Sequence, residues 1–127
     1  MYAGEGVKTS PDFPIPGAMK AWVLGEPGEM LPTEKPVPMP FRGEVLLRID
    51  AVAICATDLE IIAHGLPAIV EGGSPFQKNF TIGHEYMGTV VALGPGVDEY
   101  RIGQRVTVEV HNGCGQCKRC REGMYRF

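Results

Sequence analysis

Hydrophobic and polar residues alternate along several short stretches of the chain, which is the pattern of β-strands that bury one face. The clearest stretch reads GEVLLRIDAVAIC, in which every second residue from the valine onward is apolar. Glycine- and proline-containing turns separate the stretches, as expected between strands of a β domain. We therefore predict strands over residues 19–24, 43–55, 85–93 and 103–110.

The segments between these strands predict little helix. Thr57 or Asp58 is expected to cap one short helix that Gly65 closes. Segment 31–42 contains four prolines, which predicts an extended edge or crossover, and segment 66–78 reads as a long loop. Many short strands with one helix favour a mainly β, closed and barrel-like domain.

Length and composition fit one soluble domain of 127 residues, with 44% hydrophobic and 21% charged residues. The net charge of −3 gives no electrostatic reason to expect nucleic acid or an anionic membrane as a partner. No apolar run approaches the roughly 20 residues that span a bilayer, and no secretory signal is seen, so we expect a cytoplasmic protein. Residues 1–18 read as a flexible extension, and residues 19–127 as the domain.

No Gly-x-Gly-x-x-Gly sequence follows a strand and opens a helix in this chain. The nearest glycine pair, Gly94 and Gly96, lies in a turn and lacks the third glycine. The chain therefore carries no dinucleotide-binding fingerprint of its own.

Three cysteines near the end of the chain, Cys114, Cys117 and Cys120, have the Cys-x-x-Cys-x-x-Cys spacing of metal ligands. Thiols in a reducing compartment favour metal over disulfides, and thiolate ligands in a tight loop favour zinc. The alternative is an iron–sulfur cluster, whose usual run needs a fourth cysteine where this chain has Met124. We predict zinc, and a closed zinc site needs one further ligand.

A second candidate site involves Cys55 at the end of one predicted strand and His84 just before another. Strand ends converge at the mouth of a barrel, and a site with two or three protein ligands leaves a position open for water or substrate. Asp58 is placed to orient His84 from behind. A single Cys or His beside a strand is more often a packing residue than a ligand, so the residues alone leave this pair open.

Four stretches resemble, in the same order, the N-terminal catalytic part of the zinc-dependent medium-chain alcohol/polyol dehydrogenases. They read GEVLLRIDAVAICATDLE, IGHEYMGTVVALGPGV, IGQRVTVEV and CGQCKRCREG, within residues 19–127. The resemblance implies a GroES-like β-barrel with a short helix and a cysteine-rich zinc lobe. It also implies a Rossmann domain that lies outside this chain.

The resemblance implies a role for each matching residue. Cys55 and His84 match two ligands of the catalytic zinc, and Glu85 matches an acidic neighbour that can approach the metal. Thr57 matches the hydroxyl that takes the substrate proton, and Asp58 matches the carboxylate behind the histidine. Cys114, Cys117 and Cys120 match three ligands of a separate structural zinc, whose fourth ligand would stand at position 128.

Some positions depart from the family pattern. Glu60 stands where many members have a histidine as the outer link of the proton relay, which puts that route in doubt. Ala56 and Gln104 replace a common glycine and aspartate, and we expect little effect from either. His64 and His111 match no family role, and we expect both to be surface or packing residues.

The resemblance implies a zinc-dependent enzyme that oxidises a secondary alcohol, a polyol or a threonine-like substrate. Hydride would pass to NAD or NADP bound by the missing domain, so we expect the chain alone to be inactive. We also expect a homo-oligomer. With ligands missing, either zinc site can be empty here, and residues 111–127 are expected to be loose. The alternatives are a non-catalytic GroES-like assembly module and a zinc-ribbon nucleic-acid binder, which the acidic balance disfavours.

Overall fold

The computed structural model describes residues 6–65, 79–111 and 113–124, which are mostly strands. Neither helix of this part of the chain has the length and apolar character that crossing a bilayer requires. The predicted loop over 66–78 lies outside the described residues. The elements in chain order are β1 (Lys8–Thr9), β2 (Ala18–Leu24), β3 (Met30–Pro36), β4 (Val45–Ala53), α1 (Ala56–His64), β5 (Glu85–Leu93), β6 (Arg105–Thr107) and α2 (Lys118–Arg121).

Strand β5 is the centre of a four-stranded antiparallel sheet. It pairs with β4 along almost its whole length, with β1 at its end and with β6 near its middle. Its second half is fully buried, which explains its run of small and β-branched apolar residues. Val90, Leu93 and Val97 form the buried core, against which Val45, Leu47, Ile102 and Val106 pack.

Strands β2 and β3 form a separate two-stranded antiparallel sheet. The segment with four prolines is thus extended, as predicted, and its first half pairs as an edge strand where a missing N–H costs no ladder bond. The turn between β2 and β3 contacts helix α1, because Gly28 N–H donates to the Ile62 carbonyl at 2.8 Å. This bond ties the small sheet to the helix that follows β4.

The structure confirms the strand over 85–93 at the same bounds and shortens the strand predicted over 103–110. Pairing with β5 stops at Thr107, and one further bond, from Val108 N–H to the Tyr86 carbonyl at 3.2 Å, is the last before the chain leaves the sheet. The expected extension contains β1, whose Lys8 and Thr9 pair with Leu93 and Ala92. Residues 6–17 therefore border the main sheet.

Helix α1 begins at Ala56, two residues earlier than a Thr57 cap predicts and three earlier than an Asp58 cap predicts. Its N-cap is Cys55, not Thr57 or Asp58, and Asp58 occupies the third helical position. From there its carboxylate reaches back to the Cys55 N–H, which is the second half of a capping box. Gly65 closes the helix as predicted, with a φ of 82° that favours glycine and an N–H bond to the Ile61 carbonyl.

Candidate metal centres

The register of two antiparallel strands brings the first candidate site together. Ala53, the last residue of β4, lies opposite Glu85, the first residue of β5. Cys55 follows the end of β4 and His84 precedes the start of β5, so the two side chains meet beyond the same end of the sheet. The pairing of β4 with β5 therefore places residues 29 positions apart in direct contact.

The Cys55 Sγ and His84 Nε2 atoms lie 3.4 Å apart, and both side chains are partly buried. A zinc ion with Zn–S of about 2.3 Å and Zn–N of about 2.0 Å holds tetrahedral S and N donors about 3.5 Å apart. With one oxygen of Asp58, the donor atoms lie within 4.8 Å of one another. The spacing and the donor types therefore fit a zinc ion between Cys55 and His84.

Asp58 is the buried charge of this site, with 2% of its surface exposed. Its Oδ2 accepts the Cys55 N–H at 3.0 Å, and its Oδ1 lies 3.5 Å from His84 Nδ1. That Oδ1 contact falls short of hydrogen-bond geometry, and Oδ1 has no other partner among the described residues. Because Asp58 approaches Nδ1 while Cys55 approaches Nε2, the imidazole stands between them. Asp58 is thus placed to orient the ring, with Nε2 left to face a metal.

The short segment before His84 is fixed by contacts with the two-stranded sheet. Leu24 N–H donates to the Phe80 carbonyl at 2.9 Å. The ammonium of Lys35 donates to the Asn79 carbonyl at 2.7 Å and to the Thr81 hydroxyl at 3.0 Å. Gly83 then turns the chain into β5 with a φ of 102°, a conformation that side chains other than glycine rarely adopt. These contacts set the position from which His84 reaches Cys55.

The other residues predicted for this site lie on its exposed side. Thr57 is exposed on the first turn of α1, and Glu85 is exposed at the start of β5. Glu85 also lines an open cleft of about 530 Å³ between the ends of β4, β5 and β6. Glu60 lies 3.7 Å from His64, with 76% of its side chain exposed. The described contacts join Cys55, Asp58 and His84 and leave Thr57, Glu85 and Glu60 outside this cluster.

A polar network between β4 and β5 was not predicted from the sequence. The hydroxyl of Thr89 donates to Asp50 Oδ2 at 2.7 Å, and Arg48 lies 3.4 Å from Asp50 Oδ1. The Thr89 hydroxyl, followed by the charge of Arg48, lowers the pKa of Asp50 despite partial burial. No sequence signal identifies this contact, because it depends on the register that sets Arg48 opposite Thr89. The network of Asp50, Thr89 and Arg48 joins β4 and β5, the strands that Cys55 follows and His84 precedes.

The second candidate site, which we call the cysteine lobe, consists of Cys114, Cys117 and Cys120. Their sulfur atoms lie within 4.8 Å of one another, and the Cys114 and Cys120 sulfurs are 3.8 Å apart. Two thiolates on one tetrahedral zinc ion at about 2.3 Å stand about 3.8 Å apart. The lobe therefore fits three of the four ligands of a structural zinc site.

Backbone hydrogen bonds give the cysteine lobe a defined turn. Cys117 N–H donates to Cys114 Sγ at 3.4 Å, and Cys120 N–H donates to Cys117 Sγ at 3.5 Å. Cys117 is also the N-cap of the four-residue helix α2. In residues 113–124 the thiols thus satisfy N–H groups of their own turn, and residues 112 and 125–127 of the segment expected to be loose lie outside the described residues.

The contacts within the cysteine lobe shift the pKa values of Cys114 and Cys120 in opposite directions. Hydrogen bonds from the backbone at Gln116 and Cys117, assisted by the neighbouring thiols, lower the pKa of Cys114 to about 7. At Cys120, a hydrogen bond from the Gly115 backbone acts to lower the thiol pKa. The thiols of Cys117 and Cys114 and partial burial act to raise it, and their combined effect is larger. The pKa of Cys120 is therefore raised.

Neither of the other histidines of the described chain belongs to either cluster. His64 lies 3.7 Å from Glu60 one helical turn away, and His111 Nδ1 lies 2.8 Å from Glu109 Oε1. Both imidazoles are at least half exposed. Their surroundings are those of surface residues, in line with the expectation from the sequence.

The chain is similar in sequence to known proteins. Residues 42–127 match the alcohol dehydrogenase GroES-like domain. The chain is 38% identical over 113 residues to sorbitol dehydrogenase from Bacillus subtilis, covering 89% of the chain and 31% of that protein. It is 42% identical over 106 residues to L-threonine 3-dehydrogenase from Stenotrophomonas maltophilia, covering 83% and 30%.

Solved structures include a similar one that contains metal. The cobalt- and zinc-bound thermostable alcohol dehydrogenase from Pyrobaculum aerophilum superposes with a TM-score of 0.69 at 27% identity. The match covers 87% of this chain and 32% of that one. The chain thus spans about a third of the length of the proteins it matches. On the strength of the family match and these relatives, the chain belongs to the alcohol dehydrogenase family, of which it carries the GroES-like domain.

Proposed function

We propose that the protein of which this domain is part is a zinc-dependent, NAD(P)-linked alcohol dehydrogenase. The observation that carries the proposal is the 3.4 Å approach of Cys55 Sγ to His84 Nε2 with the buried Asp58 carboxylate behind the imidazole. A packing module has no need for a buried carboxylate behind a Cys–His pair, whereas a catalytic zinc site does. The family match supports the same conclusion.

Each residue of the site then has a chemical task. Cys55 and His84 would hold the zinc ion. As a Lewis acid, the zinc would lower the pKa of an alcohol so that the alcohol can lose its proton near neutral pH. Asp58 keeps the imidazole oriented, and the exposed hydroxyl of Thr57 is placed to take the proton toward solvent. Glu85, next to His84, supplies a carboxylate at the open side.

Two further features of the chemistry are proposed. Glu60 would accept the proton beyond Thr57, since it lies one helical turn further along α1 and is exposed. NAD or NADP would bind to a domain outside these residues and receive the hydride. On this proposal the 127 residues alone turn over no alcohol, because the cofactor site is absent from them.

The substrate class follows from the relatives. Sorbitol is a polyol, threonine carries a secondary hydroxyl beside an amino group, and the chain resembles dehydrogenases of both. We therefore propose a secondary alcohol, a polyol or a threonine-like amino alcohol as the substrate. The exposed cleft beside Glu85 is on the side where such a molecule would enter.

The cysteine lobe has a different task in this proposal. Three thiolates and a fourth ligand leave no open position on a zinc ion, so this metal would hold the lobe together without taking part in the chemistry. The defined turn at Cys114, Cys117 and Cys120 supports such a structural role.

We also propose that the protein is a homo-oligomer. Large apolar side chains are exposed near the end of β4 and on α1, namely Val52, Ile54 and Leu59. Exposed large apolar side chains favour association with another domain or chain when they form a common surface. Sedimentation analysis tests this proposal, and a monomer at all concentrations would contradict it.

Cobalt titration of the chain tests the metal assignment. Thiolate-bound Co²⁺ has characteristic absorption, so we expect the wild type to bind one equivalent at each of the two clusters. Cys55→Ser and His84→Asn should each lose the signal of one cluster and keep that of the cysteine lobe. His64→Asn is the matched control, because it removes an exposed imidazole outside both clusters.

The alternative outcomes have distinct meanings. A single bound equivalent that survives Cys55→Ser and His84→Asn would overturn the catalytic site and favour an assembly module with a zinc-stabilised lobe. NAD(P)-dependent oxidation of sorbitol or threonine by the 127 residues alone would contradict their proposed inactivity.

A further inference from the structure

We propose that the cysteine lobe is a redox-sensitive element, in which a hydroperoxide converts Cys114 and Cys120 into a disulfide and thereby removes the lobe's capacity to hold a metal. The proposal goes beyond alcohol oxidation and does not depend on it. It concerns the thiols of the lobe, among which the sulfur atoms of Cys114 and Cys120 lie 3.8 Å apart.

The positions of the thiols select one pair for oxidation. Cys114 and Cys117 are both exposed, so a small oxidant reaches either sulfur, whereas Cys120 is partly covered. The two sulfurs are 3.8 Å apart and must approach to about 2.05 Å to form a disulfide. Of the two exposed thiols, Cys114 has its sulfur 3.8 Å from Cys120, so oxidation at Cys114 is the one that the partly covered Cys120 resolves.

Cys117 caps helix α2 and is therefore not the thiol that pairs with Cys120 or Cys114 in this proposal. Its sulfur accepts the Cys120 N–H at 3.5 Å and caps α2, so its use in a disulfide would uncap the helix. The turn around Cys114 has glycines with positive φ at Gly115 and Gly123, which allow the backbone to adjust. Helix α2 spans only four residues, so moving Cys120 toward Cys114 disturbs little packing.

The reaction balances with the hydroperoxide as the only oxidant. The Cys114 thiolate attacks the terminal oxygen of ROOH, the O–O bond breaks, and Cys114 becomes a sulfenic acid while the alcohol ROH leaves. The Cys120 sulfur then attacks the Cys114 sulfur, an S–S bond forms, and the sulfenic oxygen leaves as water with the thiol proton. Two thiols and one peroxide yield one disulfide, one alcohol and one water.

The consequence for the metal follows from the donor count. Oxidation takes two of the three thiolates out of the donor set and leaves Cys117 alone, and a single thiolate does not hold zinc. A bound metal conversely occupies the same sulfur lone pairs and slows the attack on peroxide. The lobe is thus either metal-bound or oxidisable.

The test uses the complete 127-residue chain after removal of metal with a chelator. Treatment with one equivalent of hydrogen peroxide should lower the intact mass by two hydrogen atoms, and a dithiol reductant should restore it. Trypsin cleaves after Lys118 and Arg119, which separates the peptide holding Cys114 and Cys117 from that holding Cys120. A Cys114–Cys120 bond therefore joins two peptides that a Cys114–Cys117 bond leaves apart.

Two variants make the assignment specific. Cys117→Ser retains the proposed pair and should still lose two hydrogen atoms. Cys120→Ser removes the resolving thiol and should instead accumulate a Cys114 sulfenic acid that a dione reagent captures. Zinc-loaded wild type should be oxidised several-fold more slowly, and the oxidised chain should bind no Co²⁺ at the lobe while Cys55 stays reduced.

Three results would overturn the proposal. One is the absence of an intramolecular disulfide in the wild type, and another is a bond that includes Cys117, which fragmentation of the tryptic peptides locates. The third is an unchanged Co²⁺ signal from the lobe after oxidation. None of these bears on the Cys55–His84 site, whose titration is read separately.

Discussion

Cys55 Sγ lies 3.4 Å from His84 Nε2, although 29 residues separate them along the chain. The contact exists because β4 ends and β5 begins at the same edge of one antiparallel sheet. Anything that changes this register should separate the two side chains.

Replacing Asp58 with asparagine is expected to weaken metal binding at the Cys55–His84 site by roughly 10- to 100-fold, because the charge that orients His84 is lost. Stability should change little, since asparagine retains an oxygen for the Cys55 N–H and no longer buries a charge. Chelator competition measures the affinity, and urea unfolding measures the stability.

Asp58→Ala provides the contrast for that prediction. It removes the bond to the Cys55 N–H as well and should lower the free energy of unfolding by roughly 0.5–2 kcal/mol. Asp12→Asn, which changes an exposed carboxylate, is the matched control and should affect neither quantity. Equal metal affinity in Asp58→Asn and wild type would show that the carboxylate does not orient His84.

Gly88 is expected to tolerate no side chain. A Cβ at this position of β5 would lie 2.5 Å from the Arg48 carbonyl oxygen of β4, so Gly88→Ala must push the two strands apart. We expect a loss of roughly 1–3 kcal/mol in the free energy of unfolding. Metal binding by Cys55 and His84 should weaken with it, because their contact depends on this pairing.

Gly17→Ala is the matched control for that change. A Cβ at Gly17 meets nothing within 4 Å, so the free energy of unfolding should stay within about 0.5 kcal/mol of the wild type. Denaturant titration of both variants checks the comparison. Similar stabilities for the two variants would mean that the close approach of β4 to β5 at Gly88 is not maintained.

The pKa of Asp50 should lie below its ordinary value, and Thr89→Val should raise it by removing the hydrogen bond that contributes most. A carboxyl whose pKa is depressed in the folded state stabilises the fold above its unfolded pKa, and that contribution is lost as the pH falls through the folded pKa. The stability gap between wild type and Thr89→Val should therefore be present at neutral pH and shrink below about pH 4.

Carbon-detected NMR titration of Asp50 measures the shift directly. Thr89→Ser keeps the hydroxyl and should keep the low pKa, which separates the hydrogen bond from the packing of the methyl group. An unchanged pKa of Asp50 in Thr89→Val would assign the shift to Arg48 alone.

In the metal-free chain, Cys114 should react with iodoacetamide before Cys120 at pH 7. Thiolates are the reacting species, and the pKa of Cys114 is lowered to about 7 while that of Cys120 is raised. The alkylation rate of Cys114 should rise as the pH passes through 7 and level off above it. Peptide mass analysis after short exposures gives both rates, and faster labelling of Cys120 would reverse the assignment.

Local sequence patterns predict the elements whose signals are strong. Alternation located β4, an apolar run ended by a glycine-containing turn located β5, the glycine at position 65 located the end of α1, and the cysteine spacing located the lobe. These signals are local, since they depend on strand period, backbone freedom at glycine and ligand spacing in one loop. The resemblance to alcohol dehydrogenases also depended on short contiguous motifs, and the family match agrees with it.

The way in which these elements meet depends on contacts between residues that are distant in sequence. The shortening of β6, the Cys55 cap of α1 and the network of Asp50 with Thr89 all depend on strand register and on contacts between distant residues. The same holds for the candidate site. The sequence named Cys55, Asp58 and His84 separately, and the antiparallel pairing of β4 with β5 set their sulfur, carboxylate and imidazole atoms within 4.8 Å of one another.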